Sequence, residues 1–123
     1  MQRDESYLLD ILESARLVLQ YVSDNTLDEF LDDVKSQDAV VRRFILIGEA
    51  ARRISPETRD RYPQVPWRDM IDMRNLVIHE YEDVDFLIVW DTAHQDLPQL
   101  IRSLEDIAED PKKPSDRILT RPK

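Results

Sequence analysis

Apolar residues recur at helical spacing along most of this chain. Between Tyr7 and Val22 they fall at Leu8, Ile11, Leu12, Ala15, Val18 and Val22, one face of a 3.6-residue period. Thr26 with Glu29 three residues later is a capping-box pattern, and Leu27, Phe30, Leu31 and Val34 give the short helix behind it one apolar face. Ser36 is placed to cap a long helix whose stripe is Val40, Phe44, Ile47, Ala51 and Ile54. Ser55-Pro56 reads as an N-cap followed by proline at the first helical position, opening one or two turns through Arg61. Pro63 and Pro66 bracket a loop, after which a helix runs from about Trp67 to about His79. A last helix starts near Asp85 with Phe86, Leu87, Val89 and Trp90, bends or restarts around Pro98, and continues through Leu100, Ile101, Leu104 and Ile107.

The pattern therefore predicts an all-α protein: an antiparallel bundle of about five main helices over residues 1–110, with short connections between neighbours. Composition agrees. The chain of 123 residues has 1 Gly and no proline before Pro56, the punctuation of a helical fold. From Pro111 the text becomes PKKPSDRILTRPK, a basic tail over 111–123 expected to be mobile or docked on a partner. No stretch approaches the ~20 apolar residues of a membrane span, and MQRDESYLLD is too acidic for a signal peptide. The absence of Cys excludes a disulfide scaffold and a thiolate metal site, and it fits a cytoplasmic protein.

Charge sharpens the picture. The formal net charge of −9 argues against nonspecific nucleic-acid binding, but residues 42–74 carry eight basic groups against five acidic ones. Arg42, Arg43, Arg52 and Arg53 lie on the non-core side of the long middle helix with Glu49 among them. That face is either a solvated surface with a Glu49–Arg53 pair or a docking surface for an RNA backbone or a protein partner. Gly48 in mid-helix costs about 1 kcal/mol against alanine, which close approach of a neighbouring helix would explain.

The stretch RNLVIHEY, residues 74–81, carries the candidate chemistry. On a helical wheel Trp67, Met70, Ile71, Val77, Ile78 and Tyr81 cluster around Arg74, whereas Arg68, Asp72, Asn75 and His79 share the polar side. Arg74 is thus one charge in an apolar arc. It snorkels to the surface, pairs with a carboxylate inside the bundle, or grips a phosphate with its fork of donors. Histidine suits proton transfer near neutral pH, so Arg74 and His79 together are the minimum set for cleaving RNA without a metal. They lie roughly 140° apart on an ideal helix. Cleavage also needs both a base and an acid, and a two-fold dimer supplies them by bringing two His79 side chains to one cleft. It eases the separation too, with one protomer's arginine serving the other's histidine, so the mechanism requires a homodimer. Two histidines and no cysteine give poor support for a metal site, and no cofactor is expected. His94, Trp67 and Trp90 read as structural residues.

Arg74-NLVI-His79-Glu80-Tyr81 resembles the R-x4-H-x-Y signature of HepT-like HEPN-domain toxins, as do Ile47-Gly48-Glu49-Ala50, Pro66-Trp67, Val89-Trp90 and Leu97-Pro98 around it. The resemblance covers roughly residues 1–107. It implies a dimeric HEPN bundle acting as a metal-independent ribonuclease, with Arg74 and His79 as the catalytic pair and Asn75 as the polar residue beside them. It also implies that Tyr81 is the tyrosine on which a minimal nucleotidyltransferase (MNT-type) antitoxin places AMP, silencing the toxin. The rival reading is a noncatalytic module that binds and regulates the transferase, with Arg74 in a structural ion pair.

Overall fold

A computed structural model of the chain describes residues 3–111 and, at Tyr81, the backbone alone. Seven α-helices and one 3-10 turn fill this region, with no strand among the described residues. They are α1 (Asp4–Ser23), α2 (Leu27–Asp32), α3 (Val34–Arg53), α4 (Pro56–Arg61), α5 (Trp67–His79), α6 (Phe86–Gln95) and α7 (Leu97–Ala108), with the 3-10 turn at Tyr81–Asp83 between α5 and α6. The expected all-helical bundle is present among the described residues, and the basic-tail expectation lies almost wholly outside them.

The local chemistry explains the boundaries. The Glu29 N–H donates to Thr26 Oγ1 at 3.2 Å and the Thr26 N–H to Glu29 Oε1 at 2.8 Å, a complete capping box for α2. Ser55 Oγ accepts from the Thr58 N–H at 3.3 Å, and Pro56 follows at the first position of α4. The cap of α3 differs from expectation. Asp33, not Ser36, closes it, accepting the Ser36 N–H at 3.3 Å and the Ser36 hydroxyl at 2.6 Å. A carboxylate accepts from both donors at once, which leaves serine in the first turn. The last helix is also two helices. Asp96 ends α6 and starts α7, and Pro98 occupies the first turn of α7, where its missing N–H costs nothing.

α1 and α3 form the centre and run antiparallel. Asp4, at the start of α1, binds Ser55 beyond the end of α3, and Asn25, just past α1, donates to Ser36 at the start of α3. α7 and α6 pack on α1, where Arg16 meets Glu105 at 2.6 Å. The core joins Ile11, Ala15, Val18 and Val22 of α1 to Val40, Phe44, Ile47 and Ala51 of α3 and to Val89, Leu100 and Leu104. Phe30 is fully buried between Phe86 and Trp90, with ring centroids 6.1 and 5.4 Å away. The Trp67 indole is buried and donates to the Tyr62 carbonyl at 3.0 Å.

α5 is attached differently: its extensive packing is against α3. Trp67, Met70 and Val77 are buried there, but Ile71 is only half-buried and Leu76 and Ile78 are exposed. The expected apolar arc is therefore narrower than the wheel suggests, because one partner helix covers one side. No helix among the described residues is long and apolar enough to cross a membrane.

Candidate active site

The site is built where α5 crosses α3. A Cβ at Gly48 would sit 2.1 Å from Arg74 Cβ and 2.8 Å from the Met70 carbonyl oxygen, so glycine is what permits this approach. Close helix approach is the reason expected for Gly48, and it is the one observed.

Next to that contact, Arg74 Nε donates to Glu49 Oε2 at 2.8 Å, and Arg74 Nη2 pairs with the same oxygen. Arg74 Nη1 donates to Asn75 Oδ1 at 2.8 Å. Both charged side chains are partly shielded, 22% exposed for Arg74 and 26% for Glu49. The Arg74 guanidinium beside it holds the Glu49 carboxyl below its ordinary value. Glu49 Oε1 faces the other way, toward Arg52 at 3.4 Å and Arg53 at 3.9 Å. The expected Glu49–Arg53 pair thus exists at the edge of contact, while the close partner of Glu49 is Arg74. Sequence reasoning missed Glu49 as a site residue. Its signal was available in the glycine beside it, which marks where another helix must come near.

Arg74 and Asn75 are brought together. His79 is not among their bonded partners: it sits exposed at the last residue of α5, with exposed Glu80 after it. The backbone of Tyr81 begins the following 3-10 turn. Its side chain lies outside what the structure describes. Exposed Leu76 and Ile78 lie three residues and one residue before His79.

The four arginines of the basic island separate. Arg42, Arg52 and Arg53 are exposed, but Arg43 is half-buried and its Nη1 reaches Ser14 Oγ on α1 at 3.4 Å. Arg43 and Arg53 line a groove with Asp10 and Glu13, so acidic side chains temper the positive charge there. His94 is exposed, with its Nδ1 3.0 Å from the Trp90 carbonyl and its ring 4.2 Å from the indole, a structural position. A second groove, lined by Phe44, Ile47, Met70 and Leu100, contains none of Arg74, Asn75 or His79. No cluster of three or more potential metal ligands occurs among the described residues.

The sequence that carries these residues matches a known family. Residues 11–107, which contain all of Gly48, Glu49, Arg74, Asn75 and His79, match the family described as "Ribonuclease HepT-like". The chain belongs to the HepT-like ribonuclease family. Among its relatives, a Methanocaldococcus jannaschii protein described as "Putative RNase MJ0127" is 38% identical over 105 residues, 85% of this chain and 87% of the relative. A Thermococcus cleftensis protein described as "Probable ribonuclease HepT" is 36% identical over 84% of this chain and 94% of the relative. "Putative RNase TTE0752" of Caldanaerobacter subterraneus is 30% identical over 91% of this chain and 100% of the relative. No solved structure shows a significant match to this chain.

Proposed function

We propose that this protein is a metal-independent endoribonuclease, the toxin of a two-component toxin–antitoxin system in the cytoplasm. The observation that carries the reading is the contrast within α5. Arg74 is fixed against α3 by Glu49 and Asn75, while His79 stands exposed at the helix end, in a chain whose relatives bear ribonuclease names.

In the proposed reaction His79 takes the proton of a ribose 2′-OH or delivers one to the departing 5′ oxygen. The 2′ oxygen attacks the adjacent phosphorus, the bond to the 5′ oxygen breaks, and a 2′,3′-cyclic phosphate remains. Arg74 stabilises the charge gathering on the non-bridging oxygens, and Asn75 orients Arg74. A base and an acid are both needed, and α5 supplies one histidine per chain. Pairing of two α5 helices about a two-fold axis supplies the second, and the exposed Leu76 and Ile78 offer apolar surface for it.

Silencing is assigned to the residues just after α5. A partner nucleotidyltransferase of the minimal type transfers AMP from ATP to the Tyr81 hydroxyl, which loses its proton as pyrophosphate departs, placing phosphate two residues from His79, where it repels the RNA backbone. Growth of cells expressing the chain with and without that transferase tests this. Wild type is toxic alone and harmless with the partner, whereas Tyr81→Phe stays toxic in both. The second reading, a noncatalytic module, draws on the Arg74–Glu49 pair, which an arginine with a purely structural role would also form. It predicts that expression of the chain alone leaves growth and RNA ends unchanged.

A further inference from the structure

Of the five N–H donors on the Arg74 guanidinium, Nε is taken by Glu49 Oε2, against which Nη2 also rests as an ion pair, and Nη1 donates to Asn75. Glu49 therefore occupies the side edge of the fork. The terminal nitrogens keep further N–H donors, the groups that can meet phosphate oxygens. Building on the ribonuclease reading above, we propose that Glu49 is a positioning residue: by gripping the side edge of Arg74, it turns the terminal nitrogens toward the scissile phosphate.

Three features argue that this contact is more than a surface ion pair. Glu49 divides its oxygens, giving Oε2 wholly to Arg74 and showing only Oε1 to Arg52 and Arg53. Gly48, immediately before it, supplies the clearance that brings Arg74 within reach. Glu49 and Arg74 also come from different helices, so the pair fixes the fork relative to α3 and not merely along α5. A donor held in place before substrate arrives does not have to reorganise as charge develops, and misplacement by about 1 Å can cost about 10²-fold in rate.

The proposal has a distinctive signature, because Glu49 is a negative charge near an anionic substrate. Removing that charge should ease RNA binding while loosening the arginine. Glu49→Gln is therefore expected to lower kcat about 10²-fold with KM unchanged or lower. In the Arg74→Ala background the same substitution is expected to change kcat no further, since Glu49 acts through Arg74. Single-turnover cleavage of a short RNA by the full chain, with circular dichroism on each variant, reads both. A folded Glu49→Gln protein with wild-type kcat overturns the proposal, as does a kcat loss no larger than the loss of folded protein. An equal further drop in the Arg74→Ala background also overturns it. Failure of the ribonuclease reading is separately visible, as absence of His79-dependent cleavage by the wild-type chain.

Discussion

Gly48 and Arg74 touch so closely that a methyl group on the first would lie 2.1 Å from Cβ of the second. This contact sets the distance between α3 and α5 and with it the reach of Arg74. Alanine at 48 gains about 1 kcal/mol of helix propensity but overpacks the crossing by about 1–3 kcal/mol. Gly48→Ala is expected to lose net stability in urea unfolding and to lose RNA cleavage. A variant more stable than wild type, with cleavage intact, would show that the crossing is not tight.

Asp4 is fully buried and accepts the Ser55 N–H at 3.1 Å and the Ser55 and Thr58 hydroxyls at 2.6 Å each. Asp4→Ala removes an acceptor from three buried donors and is expected to cost about 2–4 kcal/mol by denaturant titration.

The same carboxylate makes stability depend on acid. Burial pushes Asp4 up, but the hydrogen bonds from Ser55 and Thr58 outweigh it and hold the group below its ordinary value of 3.8. A group depressed in the folded state stabilises fully above its unfolded value and loses that contribution as pH falls through the folded one. The urea midpoint of the wild type should therefore drop below about pH 4, and Asp4→Asn should flatten that part of the profile.

The apolar residues beside His79 should be covered in the active assembly. Leu76, 44% exposed, is the most accessible large apolar side chain on α5. Leu76→Asp is expected to convert a dimer to monomer in sedimentation velocity and to abolish cleavage while leaving the monomer helical. An unchanged dimer would place the two-fold contact elsewhere.

Phosphate-binding groups on α3 should be few. Arg43 is committed to Ser14, and Arg52 and Arg53 share Glu49. Replacing Arg42, Arg52 and Arg53 by Gln is expected to weaken RNA binding. On single-stranded RNA the salt slope should fall by about 0.7 for each phosphate that the variant no longer neutralises. An unchanged slope assigns this face to something other than the substrate.

The sequence carried most of the fold because its helices announce themselves locally. Thr26 with Glu29, Ser55 with Pro56 and the stripe from Val40 to Ile54 are each short-range signals. Asp33 was obscured because Ser36 is an equally plausible cap by residue type, and only geometry shows which oxygen accepts. The exposure of Ile78 was equally hidden, since a wheel gives the direction of a side chain but not whether a helix lies there to cover it. Arg74, Asn75 and His79 were legible as a spacing. Glu49 was legible only indirectly, through the helix approach that Gly48 marks, because it lies 25 residues from Arg74 and meets it through tertiary packing.

Cleavage of a short RNA by the purified chain, at neutral pH in the presence of a chelator, tests the role of α5 most directly. The wild type is expected to produce fragments ending in 2′,3′-cyclic phosphate, and a folded His79→Ala protein none. A folded His79→Ala protein that produces the same ends at the wild-type rate contradicts the assignment of α5 as the reacting surface.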